Sequence, residues 1–290
     1  MSDPLTEPTQ PHDALFKKTF SEIEHAAAEL RAVLPAELVS RTDFSTLTLC
    51  SGGYIDETLA GSQSDLLSSA QILGKPALLY LLFEHQSSPD KLLPLRLLRY
   101  VVRILERHVA EAKTAGDALP LPVVVPVVLH HSESGWSVAT RLEDLFDCQL
   151  VEEAGLSEFI PRLSFMLDDL SRVTDNELEQ RELGLVALLT LWLLRDARSP
   201  TRLVKSADRF ARAMADLLET PNGLEAFATL FRYIGLVADD SAAITLSQAI
   251  EAAKPEAKEP IMTLAEKWKA EGEVELDRWL ERALLTRLTR

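Results

Sequence analysis

The sequence predicts an α/β protein: a mixed β-sheet flanked by helices, followed by an α-helical C-terminal region. Three observations predict it. Three strand-like runs, one long amphipathic run and one Val-rich run follow one another between residues 45 and 131. That strand–strand–strand–helix–strand order joins hairpin pairing to a crossover, which gives a mixed sheet. From about residue 170 onward, the apolar spacing is helical.

In chain order, residues 1–11 hold three prolines and read as a flexible leader. A helix starts near His12 or Asp13 and places Leu15, Phe16, Phe20, Ile23, Ala27 and Leu30 on one face. Pro35 lies in the following break, and a short helix leads to Arg41. Residues 45–50 (STLTLC) alternate as a strand, and Gly52 and Gly53 mark a bend. Residues 64–71 form a second strand, 73–76 (LGKP) a turn, and 77–83 (ALLYLLF) a buried third strand. Asp65 therefore opens one arm of a hairpin, and Glu84 closes the other.

Residues 94–113 form a long helix with Leu95, Leu98, Val102, Leu105 and Val109 as its apolar stripe. The run 121–131 (LPVVVPVVLHH) reads as a strand buried on both faces. Helices follow over 176–197, 200–219, 224–237 and 241–253. Thr174 or Asp175 caps the first, and Ser199 followed by Pro200 starts the second. Residues 262–288 mix charge with Leu and Trp as an exposed or partner-seeking helix. The domain division is a leader (1–11), a sheet domain (12–169), a helical domain (170–254) and a C-terminal helix (255–290) that could pair two copies as a homodimer.

Composition excludes several classes. No run of 18 apolar residues is present, so no membrane span is expected, and the N-terminus lacks the pattern of a secretory signal. Cys50 and Cys148 are the two cysteines, too few for a disulfide framework, and a reducing cytoplasm fits them. No Gly-rich phosphate loop or dinucleotide fingerprint occurs, so no nucleotide cofactor is expected. The net charge of −15 argues against a protein that coats DNA. It leaves room for an enzyme that gathers acids around a metal ion and touches the DNA backbone through a local basic patch.

Two constellations carry chemistry. Asp65 and Glu84 end neighbouring strands, and antiparallel partners lie about 5 Å apart. Two carboxylates meeting there can hold Mg²⁺, or Mn²⁺ in its place. Gln86 shares a strand face with Glu84 and can orient a water or touch a phosphate. From spacing alone, solvated acids at strand ends are the commoner arrangement; the polar cluster directly after a buried strand favours a site. Arg96, Arg99, Arg103 and Arg107 lie on one helix face, with Lys91 nearby. They make either a ridge for DNA phosphates or an ordinary face of ion pairs. His130 and His131 end the Val-rich strand, where one could donate a hydrogen bond to the site. No spacing among the histidines supports zinc.

Six segments in order carry a family resemblance: HDALFK from His12, LPAEL from Leu34, SDLL from Ser64, EHQSSPDK from Glu84, RLLRY from Arg96 and PVVLHH from Pro126. Together they resemble the Rpn (YhgA-like) recombination-promoting nucleases, also described as transposases and placed in the PD-(D/E)XK nuclease superfamily. The resemblance covers about residues 12–150 closely. It implies a PD-(D/E)XK-like core and Mg²⁺-dependent DNA cleavage, with Asp65 and Glu84 as metal ligands. The superfamily usually has a Lys where Gln86 stands, and Gln brings no positive charge to a developing oxyanion. His130-His131-Ser132 replaces the Tyr-His-Gly often seen in the family. The resemblance also raises Asp13, which either completes the carboxylate cluster or caps its helix, and Lys17, which either contacts phosphate or is simply solvated.

The reading that follows is a metal-dependent DNA endonuclease. The alternative is an inactive nuclease-fold protein that works as an interaction module through its helical half. A strand-joining transposase with an Asp, Asp, Glu triad ranks last, because these acids sit on one hairpin.

Overall fold

The computed structural model describes residues 11–50, 66–84, 90–115, 119–132, 134–257, 259 and 261–263. It divides into two compact units, Phe20–Thr174 and Met1–Thr19 with Asp175–Arg290. The first helix, α1 (Pro11–Phe20), therefore groups almost entirely with the C-terminal helices.

The sheet unit runs α2 (Ile23–Val33), α3 (Ala36–Arg41), β1 (Thr42–Leu49), β2 (Leu66–Ile72), β3 (Lys75–Glu84), α4 (Leu93–Ala115), β4 (Val123–His130), α5 (Cys148–Glu153) and β5 (Met166–Asp169). The strands lie side by side in chain order. β1 and β3 flank β2 antiparallel, whereas β3, β4 and β5 are parallel, so the expected mixed sheet is present.

Local chemistry explains the joints. β2 and β3 close through Leu73 and Gly74, with φ of 52° and 72°, between the paired residues Ile72 and Lys75. Two consecutive left-handed residues make the turn whose twist suits a two-residue hairpin. β1 starts earlier than the alternation of 45–50 suggests and shifts register between Asp43 and Thr48. Inside that irregularity the Thr46 hydroxyl replaces a ladder acceptor and takes the Gln71 N–H at 2.9 Å.

Helix α4 is the crossover that makes β3 and β4 parallel. It corrects the expected stripe. Leu93, Leu97, Tyr100 and Ile104 face the sheet, packing with Leu67, Leu78, Tyr80, Val128, Trp136 and Phe165. Leu95 is 45% exposed and Val102 44% exposed. Both sets repeat every three or four residues, so periodicity alone could not choose between them. The sheet takes the set carrying Tyr100, whose ring meets Tyr80 edge-on at 6.0 Å. The opposite side of the sheet, including Ala70, Ala77, Leu79, Leu81, Val127 and Leu129, is buried too. Burial on both sides is why these strands read as continuous apolar runs.

The helical unit adds α6 (Asp175–Gln180), α7 (Leu185–Asp196), α8 (Pro200–Lys205), α9 (Ala207–Leu217), α10 (Gly223–Val237) and α11 (Asp240–Ala253). The helices expected over 12–30, 176–197 and 200–219 are each divided in two, the last pair meeting at Ser206, whose ψ is 3°. Helix α7 is buried on nearly every side, as a helix apolar all round must be. Most of the expected helix over 262–288 lies outside the described residues. No helix among the described residues is long and apolar enough to cross a membrane.

Candidate active site

The carboxyl ends of the three parallel strands form one row. Glu84 ends β3 and is the register partner of His130, which ends β4; His130 is in turn the partner of Asp169, which ends β5. Register partners on parallel strands share a sheet face, so these three positions stand abreast. In α/β sheets this edge is where ligands bind.

The turn after β4 is tied to this row. His130 is fully buried, with Nε2 3.0 Å from the Ser132 hydroxyl and its ring edge-on to Trp136 at 5.0 Å. Ser132 Oγ also accepts the Gly135 N–H at 3.0 Å. Gly135 has φ +74°, and a Cβ there would fall 2.8 Å from Ser171 Oγ and 3.3 Å from Asp169 Oδ2. The backbone can approach Asp169 this closely only because that position carries no side chain. Asp169 is saturated with donors: Oδ2 takes the Trp136 N–H at 2.9 Å and faces Arg172 Nε at 3.1 Å, while Oδ1 takes the Ser171 hydroxyl at 2.7 Å. So committed, Asp169 acts as a brace for the turn. Asp168, one position earlier, pairs in register with Leu129 and belongs to the other face.

The predicted residues are distributed as follows. Glu84 sits in the row through its backbone register. Asp65 and Gln86 lie outside the described residues, as does His85. Asp13 and Lys17 belong to α1 of the helical unit, whereas Glu84 ends a strand of the sheet unit. Asp13 is buried, and its neighbour His12 is hydrogen-bonded through Nδ1 to the buried Tyr233 hydroxyl. Burial holds the Tyr233 hydroxyl protonated well above the ordinary phenol range. Lys17 is exposed.

On α4, three of the four arginines meet acids. Arg96 pairs with Asp90 at 3.1 Å, Arg103 with Glu106 at 3.1 Å and Arg107 with Glu111 at 2.8 Å. Arg99 and Lys91 are exposed, and neither forms an ion pair among the described residues. No group of three or more His, Cys, Asp or Glu among the described residues is arranged to hold a metal ion.

Asp169 was not singled out from the sequence. Its strand is four residues long, Met166–Asp169, and half acidic, which gives no strand signal. The available clue was the double acid directly before the helical half.

A parallel sheet edge that ends in acid and histidine positions, in a chain that also holds a separate helical unit, describes a class of α/β protein. The chain belongs to the family described as "Putative transposase, YhgA-like", whose model matches residues 10–225. It is similar to recombination-promoting nuclease RpnC of Escherichia coli K12, with 34% identity over 183 residues, 62% of this chain and 58% of that one. It thus spans less than two thirds of that relative. Recombination-promoting nuclease RpnA of the same organism is 32% identical over 91% of this chain and 85% of its own length. The inactive recombination-promoting nuclease-like protein RpnE, also from Escherichia coli K12, is 30% identical over 92% and 85%. No solved structure matches.

Proposed function

We propose that this chain is a divalent-metal-dependent DNA endonuclease that hydrolyses phosphodiester bonds at the carboxyl end of β3. The observation that carries the reading is the row of Glu84, His130 and Asp169 across three parallel strands. Its family and the names of its relatives support it.

In this reading Asp65 and Glu84 hold Mg²⁺, with Mn²⁺ as a substitute, because paired carboxylates are the hard oxygen donors such ions take. When bound, the ion supplies Lewis acidity toward the phosphoryl group and lowers the pKa of a water. Gln86 orients the attacking water or the phosphate by its amide. His130, braced by Ser132 and Trp136, keeps the end of β4 in register beside Glu84. Lys91 and Arg99, both exposed and without an ion pair among the described residues, are the basic residues most available for a phosphate; Arg96, Arg103 and Arg107 would first exchange an acidic partner.

The test is cleavage of supercoiled plasmid with and without Mg²⁺ or Mn²⁺, beside Asp65→Ala and Glu84→Ala. Nicking or linearisation that needs the metal and is lost in both variants is the expected result. Variants that cut as well as the parent overturn the assignment.

A second reading has its own support, since RpnE, a relative matched over 92% of this chain, is named inactive. The chain would then keep the fold and act through contacts with a partner. A parent protein that binds DNA but never cuts under any metal condition favours it.

A further inference from the structure

The two apolar stripes of α4 leave one of them without a partner in the sheet. Leu93, Leu97, Tyr100 and Ile104 are consumed by the core. Leu95, Leu98, Val102, Leu105 and Val109 form the second stripe, with Leu95 and Val102 nearly half exposed and the other three partly buried. Their spacing alternates three and four residues, the repeat by which one helix packs along another. The stripe runs about 22 Å at 1.5 Å per residue.

We propose that this stripe is the seam of an antiparallel homodimer, in which α4 of one chain packs against α4 of a second copy. Charge decides both the occupant and the direction. One antiparallel register places Val102 against Leu105 of the partner subunit, Leu98 against Val109 of the partner subunit and Leu95 against Ala112 of the partner subunit. The two-fold axis repeats each layer, so the interface is self-complementary. That same register sets Arg99 beside Glu106 of the partner subunit, again twice. Arg99 is exposed with no ion pair among the described residues, and Glu106 is an exposed acid that meets Arg103 of its own helix at 3.1 Å and keeps room for a second basic neighbour. A parallel pairing matches no opposite charges, because it brings Arg99 beside Pro94 and Glu106 beside Val101. Positions flanking a helical seam commonly set direction and partner choice in this way. The seam uses a face opposite the sheet, so it can form without disturbing the core.

The test is the mass of the full-length chain by sedimentation velocity across a concentration series. The expected species has twice the mass of the 32.2 kDa chain. Leu95→Glu with Val102→Glu, both at exposed positions that tolerate a helix former, gives a monomer with unchanged circular dichroism and melting temperature. Arg99→Glu alone weakens the dimer by about tenfold or more through like-charge contact, and so does Glu106→Arg alone. The double variant Arg99→Glu/Glu106→Arg restores parental affinity, which a general surface effect would not do. A parent that stays monomeric to about 100 µM overturns the proposal. A dimer that survives Leu95→Glu with Val102→Glu, or charge variants without mutual rescue, overturns it equally. None of these readings depends on whether the chain cuts DNA.

Discussion

Asp169 accepts the backbone N–H of Trp136 at 2.9 Å, fastening the turn after β4 to the end of β5. The same carboxylate faces Arg172 and takes the Ser171 hydroxyl, and Arg172 Nη2 returns to the Trp136 carbonyl at 2.9 Å. Removing it strands a buried N–H and frees a turn that carries an indole into the core. Asp169→Ala should lower unfolding free energy by about 2–3 kcal/mol, the cost of leaving such a group unpaired. Asp169→Asn, which keeps one acceptor, should cost less. Urea titration followed through tryptophan fluorescence measures both. A change under about 0.5 kcal/mol for the alanine variant would show that the turn holds itself.

The two faces of α4 predict opposite outcomes for one kind of substitution. Leu97 is fully buried under the sheet and Leu95 is 45% exposed. Leu97→Ala should cost about 2–5 kcal/mol from lost burial and a residual cavity. Leu95→Ala should stay within about 0.5 kcal/mol when measured at protein concentrations too low for chains to pair. Equal effects would mean that the helix is rotated about its axis from the orientation described.

That contrast also marks where sequence reasoning stops. The strands over 77–83 and 121–131 are legible because they are nearly continuous apolar runs, buried on both sides of the sheet at Leu78, Leu79, Tyr80 and Leu81 and at Val127, Val128 and Leu129. The helix over 94–113 is legible as a helix, but its orientation is not, because two stripes satisfy the same period. The site divides similarly. Glu84 stands out as an acid directly after a buried strand. Its alignment with His130 and Asp169 comes from parallel register between segments far apart in the chain, and no local pattern records register. Asp13 shows the converse: a motif at the head of the sequence suggests chemistry, yet the residue is buried on a helix that groups with the C-terminal unit.

The hairpin turn invites a stabilising change. Leu73 holds φ at 52° with its side chain 70% exposed, so it bears the steric cost of a left-handed residue without compensating burial. That cost is about 1–2 kcal/mol for an ordinary L-residue, and Asn tolerates the conformation far better. Leu73→Asn should therefore stabilise the protein by about 0.5–1 kcal/mol and leave the fold unchanged, given the context dependence of single turn positions. Thermal denaturation checks it. A lowered melting temperature would mean that the leucine side chain contributes packing its exposure does not suggest.

The last prediction concerns acid. In the helical unit, Arg195 is almost fully buried; it bonds Asp196 through Nε at 2.8 Å and meets Asp175 through Nη2. Burial pushes the Asp175 carboxyl up. The Arg195 hydrogen bond and charge, the Trp192 indole N–H at 3.2 Å and the charge of Arg209 outweigh it, so the group lies below its ordinary value of 3.8. A carboxyl depressed in the folded state binds its proton more readily when unfolded. Its contribution to stability is therefore complete above the unfolded value and disappears as pH falls through the lower folded value. Asp175→Asn removes that dependence while keeping one acceptor for Trp192 or Arg195. The melting temperature gap between parent and variant should be widest near pH 7 and should narrow as pH falls below the ordinary value of 3.8 toward the lower folded value. A gap that stays constant over that range would show that Asp175 contributes through hydrogen-bond geometry alone, with no linkage to its proton.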